Sequence, residues 1–324
     1  MSQRRRILSI DGGGVRGIIP ASVLAALESA TGKPAREHFD FLAGTSTGAV
    51  IAGALAAGIP AERLVSLYER RGPELFRKIP VLSFLRRVAT GTMYDVTTLN
   101  RMLGEELGEQ AGWRMNDVPN DIMITSKGLD DGHQWYFVKD QPGAKPGRTG
   151  GLRLVDCVTA SAAAPTYFGP WDVPDIGTLV DGGTGVAGNP TYQACVEAFE
   201  YNKDRYSART TTVVSLGTGR FLERKRPTWI LSWLEWILSE LLRSPGEQQT
   251  ELVQRHYPAA RFYRIDVKLP RDFQLDDIRE VAELRRIGEA LAATVDWAAI
   301  LAGDERTFEI GKTNVRPAAY ARAV

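Results

Sequence analysis

Only three histidines (His38, His133 and His256) and two cysteines (Cys157 and Cys195) occur in the 324 residues of this chain. The cysteines have no metal-ligand spacing and form no disulfide framework, which fits a reducing compartment. Charge of one sign is missing as well: 40 Lys and Arg face 39 Asp and Glu, for a net charge of +1. No nucleic-acid polymer or strongly acidic partner is therefore expected. No internal repeat or low-complexity tract interrupts the chain, and no apolar run is long enough to cross a bilayer. The N-terminal Met1-Ser-Gln-Arg-Arg-Arg6 has the charge of a signal peptide without the apolar stretch that should follow, so the expected location is cytoplasmic. What remains is an ordinary globular composition, 44% hydrophobic. The length allows one large domain or two small ones. The expectation is a single domain over residues 1–324, with a core over about 5–270 and a C-terminal helix and tail over 271–324.

The chemistry-bearing stretch runs from Phe39 to Val50, a short apolar strand leading through Gly44-Thr45-Ser46-Thr47-Gly48 into a small-residue helix. A serine on a tight strand-to-helix turn, with glycine two residues before and after, is the pattern of a nucleophile elbow. The helix behind it presents free N–H groups to charge developing at the serine. An ordinary glycine-flanked turn is the bland reading of the same letters.

Upstream, a strand over Arg5–Ile10 enters the glycine loop Asp11-Gly12-Gly13-Gly14-Val15-Arg16-Gly17, followed by a helix over Ile18–Ala30. Such a loop binds an anion. Gly12, Gly14 and Gly17 fit a dinucleotide fingerprint, but that reading needs an acidic residue at the end of the second strand. Ser46 stands there instead, which favours an oxyanion loop beside a nucleophile. Serine needs a base. His38, His133 and His256 lie before the elbow strand, in a hairpin turn and at a charged helix end, and each reads as a surface or capping residue. The better candidate is Asp181, at the end of a strand over Ile176–Val180 and followed by Gly182 and Gly183. Burial beside Ser46 would raise its pKa into the range of a useful base. Taken alone, a turn aspartate before glycines is the plainer reading.

Together these three pieces resemble the patatin-like phospholipases, as do Thr159–Phe168, Asn189-Pro190 and Ser215-Leu-Gly-Thr-Gly219, so the likeness covers roughly residues 5–270. The resemblance implies a lipid acyl hydrolase with a Ser–Asp dyad, no catalytic metal and no other cofactor. Ser46 would be the nucleophile and Asp181 the base. Gly12, Gly13, Gly14 and Arg16 would form the oxyanion segment with Thr47, and Gly17, Gly44, Gly48, Gly182 and Gly183 would shape the motifs. Stand-alone bacterial members of this size are similar to the cyclic-nucleotide-activated phospholipases of anti-phage defence. The alternative that this implies is an effector silent until a cyclic dinucleotide binds. The basic cluster Arg220, Arg224, Lys225 and Arg226 is either its phosphate pocket or a solvated loop.

Helices and strands alternate, which predicts an α/β fold: a mostly parallel sheet with helices on both faces and the motifs at the carboxyl ends of strands. Helices are expected over Pro60–Arg71, Val96–Leu107, Leu154–Ala164, Tyr192–Tyr201 and, unbroken, Asp276–Leu301. Strands are expected over Asp121–Ser126, Gln134–Val138, Thr211–Leu216 and Arg261–Val267. Two stretches suit contact with phospholipid at the inner face of a membrane. Thr228–Leu242 is nearly apolar all round and bears Trp229, Trp233 and Trp236. Leu75–Val88 mixes apolar and basic residues. A core helix or a homo-oligomer interface is the competing reading of the first, and a solvated helix edge of the second.

Overall fold

The computed structural model describes residues 4–76, 91–142, 147–221, 228, 233, 245–303 and 308–310. Most of the two lipid-contact stretches, and Arg224, Lys225 and Arg226, lie outside the described residues. Among the described residues, nine strands form one mixed sheet. Its strands are β1 (Arg5–Ile10), β2 (Phe41–Gly44), β3 (Asp121–Gly128), β4 (Gln134–Val138), β5 (Trp171–Val173), β6 (Gly177–Asp181), β7 (Thr211–Leu216), β8 (Arg261–Ile265) and β9 (Phe308–Ile310). Pairing follows β5-β6-β3-β2-β1-β7-β8-β9, with β4 on the free edge of β3. β9, β8, β7, β1, β2 and β3 are parallel, as expected for fully buried strands such as Thr211–Leu216. β4, β5 and β6 are antiparallel to their partners.

The edges of β3 decide where the motifs meet. Gly128 sends its N–H to His133 in the β3–β4 hairpin (2.8 Å), whereas Asp121 and Leu129 send theirs to Asp40 (3.0 Å) and Thr178 (2.9 Å). Successive N–H groups alternate edges, so β2 and β6 share the edge opposite β4. They arrive from opposite directions. β2 pairs with β3 as far as Gly44↔Ile124, and β6 ends at Asp181↔Ser126. The elbow after Gly44 and the carboxylate at the end of β6 thus face each other across a short gap.

Helices cover both faces. Even-numbered Leu8 and Ile10 of β1 point into the larger core, and Ile7 points into the smaller one. On the larger side lie α1 (Ile18–Thr31), α2 (Thr47–Ala56), α3 (Ala61–Leu75), α4 (Val96–Leu107), α5 (Leu154–Ala162), α8 (Val281–Ala292) and α9 (Trp297–Ala302). On the other side are α6 (Thr191–Val196), which passes into a π-turn over Glu197–Tyr201, and α7 (Pro245–His256). Their ends follow local chemistry. α1 stops at Gly32, with φ 66° and its N–H on Glu28 O (2.8 Å), and Asp95 caps α4 through the Thr97 N–H (3.2 Å).

The unbroken helix expected over Asp276–Leu301 is three pieces: a short 3-10 turn over Ile278–Glu280, then α8, then α9. β-branched Thr294 and Val295 weaken the junction, and Asp296 starts a new helix by accepting the Ala299 N–H (3.0 Å). The packing stripe nonetheless closes the core, with Val281, Leu284, Leu291, Trp297 and Ile300 buried.

Candidate active site

Ser46 sits between buried β2 and α2 with φ 56° and ψ −124°, a region that favours glycine. The chain is held in that conformation from several sides. A Cβ on Gly44 would collide with the Gly48 carbonyl, and one on Gly48 with the Ile10 carbonyl, so close approach requires both glycines. Thr45 Oγ1 pairs with Thr125 Oγ1 (2.7 Å) and donates to Ala187 O (2.5 Å). The Ser46 N–H donates to Ser161 Oγ on α5 (2.9 Å), fixing the backbone while the side chain lines a cavity.

Asp181 is fully buried. Its Oδ1 accepts the Gly183 N–H (2.7 Å), whereas Oδ2 has no hydrogen-bond partner among the described residues. Burial raises the carboxyl's pKa to about 6, opposed by the nearby Ser46 hydroxyl and the Gly183 N–H. The Ser46 hydroxyl is near enough to lower the carboxyl's pKa, and both residues line the same cavity. Three further bonds hold the strand end: Asp181 N–H to Ala163 O (3.0 Å), Ser126 Oγ to Val180 O (2.8 Å) and Thr184 Oγ1 to Asp181 O (2.6 Å). A Cβ on Gly182 would strike Thr125. The histidines are engaged elsewhere, His38 with Thr31 (2.9 Å), His133 with Asp131 (3.2 Å) and His256 with Tyr192 (2.8 Å).

The glycine loop lies across the elbow from β6. Gly12 departs from expectation, because its N–H is committed to Gly188 O (2.9 Å) and its carbonyl accepts Thr218 Oγ1 (2.8 Å). The N–H groups of Gly13, Gly14 and Thr47 bond to none of the described residues, and all three residues line the cavity. Gly14 has φ 59° and backs onto the Leu275 carbonyl, which also accepts the Val15 N–H (2.9 Å). Arg16 is buried and turns its Nε to Gly13 O (3.2 Å), so it braces the loop and is absent from the cavity lining. Gly17 leaves room for the Thr47 hydroxyl and Tyr68 OH, which pair with each other.

Beneath the loop is an ionic lattice that the sequence reading missed. Arg264 grips both oxygens of Asp11 (3.0 and 2.5 Å), Ser215 Oγ (2.7 Å) and Asp266 (3.1 Å). Asp266 also receives the Gly219 N–H (3.0 Å) and pairs with Arg220 (2.9 Å), which reaches Glu247 (2.6 Å). Burial alone would lower the Arg264 pKa. The charges of Asp11 and Asp266 more than reverse this, and it stands above its ordinary value. The available signal was Arg264 and Asp266, two apart among Phe262, Tyr263, Ile265 and Val267: buried charges there need partners. Arg220, expected in a phosphate pocket or a solvated loop, is tied into this lattice.

The cavity is an apolar slot of about 110 Å³ with Ser46 and Asp181 at its polar end. Leu67, Leu75, Phe76, Leu99 and Phe168 make up much of its wall. It can hold an acyl chain and exclude water from a carbonyl placed at Ser46.

The positive φ at the elbow leads to a stability prediction. Ser46→Gly relieves it, while Ser46→Ala keeps it, so the glycine variant should be the more stable by about 1 kcal/mol. Chemical denaturation of the two variants measures the difference, and an alanine variant of equal or greater stability would show an unstrained turn.

A family model described as patatin-like phospholipase matches residues 8–195. A cGAMP-activated phospholipase of Vibrio cholerae is 31% identical over 228 residues, covering 66% of this chain and 63% of that protein. One of the same description from Pseudomonas aeruginosa is 34% identical over 182 residues, with 55% and 52% covered. The 85/88 kDa calcium-independent phospholipase A2 of Rattus norvegicus is 27% identical over 325 residues, covering 87% of this chain and 38% of that one. In each case the match spans less than two thirds of the relative. The chain belongs to the patatin-like phospholipase family.

Proposed function

We propose that the protein is a serine hydrolase that cleaves acyl esters of membrane phospholipids through an acyl-enzyme. The observation that carries this reading is the pairing of an elbow serine at positive φ with a fully buried carboxylate whose second oxygen has no partner among the described residues. Ser46 Oγ attacks the ester carbonyl as its proton passes to Asp181. The N–H groups of Gly13, Gly14 and Thr47 receive the oxyanion, aided by the positive end of α2. Collapse of the tetrahedral adduct expels the lysolipid alkoxide, which takes the proton from Asp181. Water then gives a proton to the same carboxylate and attacks the acyl carbon, and release of the fatty acid returns the proton to Ser46. Arg16 and the Asp11–Arg264 pair hold the glycine loop in place for these steps.

The setting proposed for this chemistry is peripheral contact with the inner face of a membrane; no described helix is long and apolar enough to cross one. A gated form of the reading has its own support. Relatives from Vibrio cholerae, Escherichia coli and Pseudomonas aeruginosa are described as cGAMP-activated. On that form, hydrolysis waits for a cyclic dinucleotide.

Phospholipid vesicles incubated with wild type and with Ser46→Ala, each with and without a panel of cyclic dinucleotides, test both forms. The serine variant should lose on the order of 10⁴ in turnover. Wild-type turnover without additive marks a constitutive enzyme, turnover with one nucleotide alone marks a gated one, and equal rates in the two proteins would refute the assignment.

Asp181 yields a second prediction, with two readouts of opposite sense. The base works only when ionised, so kcat/KM should rise with pH through about 6 and fall away below it. Its folded pKa lies above the ordinary carboxylate value of 3.8, so protonated Asp181 favours the native state at low pH. That advantage disappears as pH climbs through about 6. The penalty at neutral pH is on the order of 3 kcal/mol for a shift of this size. Asp181→Asn should therefore abolish turnover yet raise the melting temperature at pH 7.5, with little gain at pH 4. A variant that is both inactive and less stable at pH 7.5 would contradict the burial account.

A further inference from the structure

The slot at Ser46 shares part of its lining with a neighbouring space. A second, smaller cavity of about 20 Å³ lies behind it, and Val50, Leu67 and Leu103 line both. The same four helices build the two spaces. On α2, Thr47 and Val50 face the first, and Val50, Gly53 and Ala54 face the second. On α3 the lining shifts from Tyr68 and Leu67 back to Leu64, and on α4 from Leu99 and Leu103 on to Leu107. α5 adds Val158 at the far end, where Gly53 keeps the helices close, since a Cβ there would meet that side chain.

The positions 47, 50 and 54 fall on one face of α2. At a rise of 1.5 Å per residue they lead roughly 10 Å away from the nucleophile along the helix axis. The two cavities thus follow one another along α2, and the three residues that line both stand between them; joined, they would make one trough. Arg63, paired with Glu106 across α3 and α4 (3.2 Å), also lines the second cavity.

We propose that Val50, Leu67 and Leu103 form a removable partition that sets the acyl-chain length the enzyme accepts. This rests on the hydrolase reading and adds to it the residues that measure the substrate. A chain esterified near Ser46 grows down α2 until its terminal methyl meets the partition. Each methylene that must stay in water instead of entering the trough loses about fourfold in kcat/KM. Trimming the partition should extend the accepted length, and enlarging it should shorten that length.

The experiment compares the full-length protein, Leu103→Ala and Leu67→Phe on a series of monomeric 4-methylumbelliferyl esters from C4 to C18, assayed with and without cyclic dinucleotides. The readout is the ratio of kcat/KM for long over short esters within each protein, so a loss of folded enzyme cancels. The ratio should rise at least tenfold in Leu103→Ala and fall at least tenfold in Leu67→Phe. In parallel, the affinity of saturated fatty acids of the same lengths is measured on Ser46→Ala carrying each change. The optimum length should move in the same two directions there, a readout that needs no turnover. An unchanged length profile in both variants, with esters still cleaved, would overturn the partition and leave the hydrolase standing. Cleavage of no ester by any of the proteins would overturn the hydrolase reading, and unshifted fatty-acid affinities would overturn the partition independently.

Discussion

One edge of β3 is shared by two strands that approach from opposite ends, and the arrangement of the candidate site follows from that shared edge. β2 delivers the elbow after Gly44↔Ile124, and β6 delivers Asp181 opposite Ser126. A wholly parallel sheet would put the two carboxyl ends on neighbouring strands, side by side. Here the strand ends meet head to head, and the carboxylate reaches the serine without a histidine between them. Thr125 and Ser126 secure both sides of the meeting, the first through Thr45 and the second through Val180.

Such a meeting strains the fold in two places. Ser46 is held in a backbone region that costs on the order of 1–3 kcal/mol for a residue with a side chain. Asp181 is buried with one oxygen unpartnered among the described residues, which pushes its pKa to about 6. Both features resist folding, and both suit a nucleophile and its base. The surroundings offset them. Ser161 holds the elbow amide, α2 packs tightly on β2 through glycine and alanine, and the Asp11–Arg264–Asp266 lattice ties the glycine loop to β7 and β8. A loop made of three glycines has no side chains with which to hold its own shape, and the lattice supplies that restraint.

The sequence disclosed the elbow, the glycine loop and the strand-end aspartate because each depends on local spacing. It also disclosed the alternation of helices and strands, since buried parallel strands read as apolar runs. The Gly12 amide could not be read, because only the fold brings Gly188 within reach of it. The antiparallel entry of β6 was equally hidden: strand direction depends on the path of the preceding loop, and Ile176–Val180 looks the same in either direction. Asp296 shows the reverse case, a local helix start that periodicity ran straight through. Arg264 was legible as a charge set between Tyr263 and Ile265, but its partner Asp11 lies 253 positions away.

The nucleophile can be tested directly by covalent capture. Treating the protein with a fluorophosphonate, alone and with cyclic dinucleotides, and locating the adduct by peptide mass spectrometry asks which oxygen is activated. A single adduct on Ser46 is expected, formed more slowly below pH 6 and nearly lost in Asp181→Asn. An adduct on another residue, or labelling of Ser46 that is indifferent to Asp181 and to pH, would contradict this expectation.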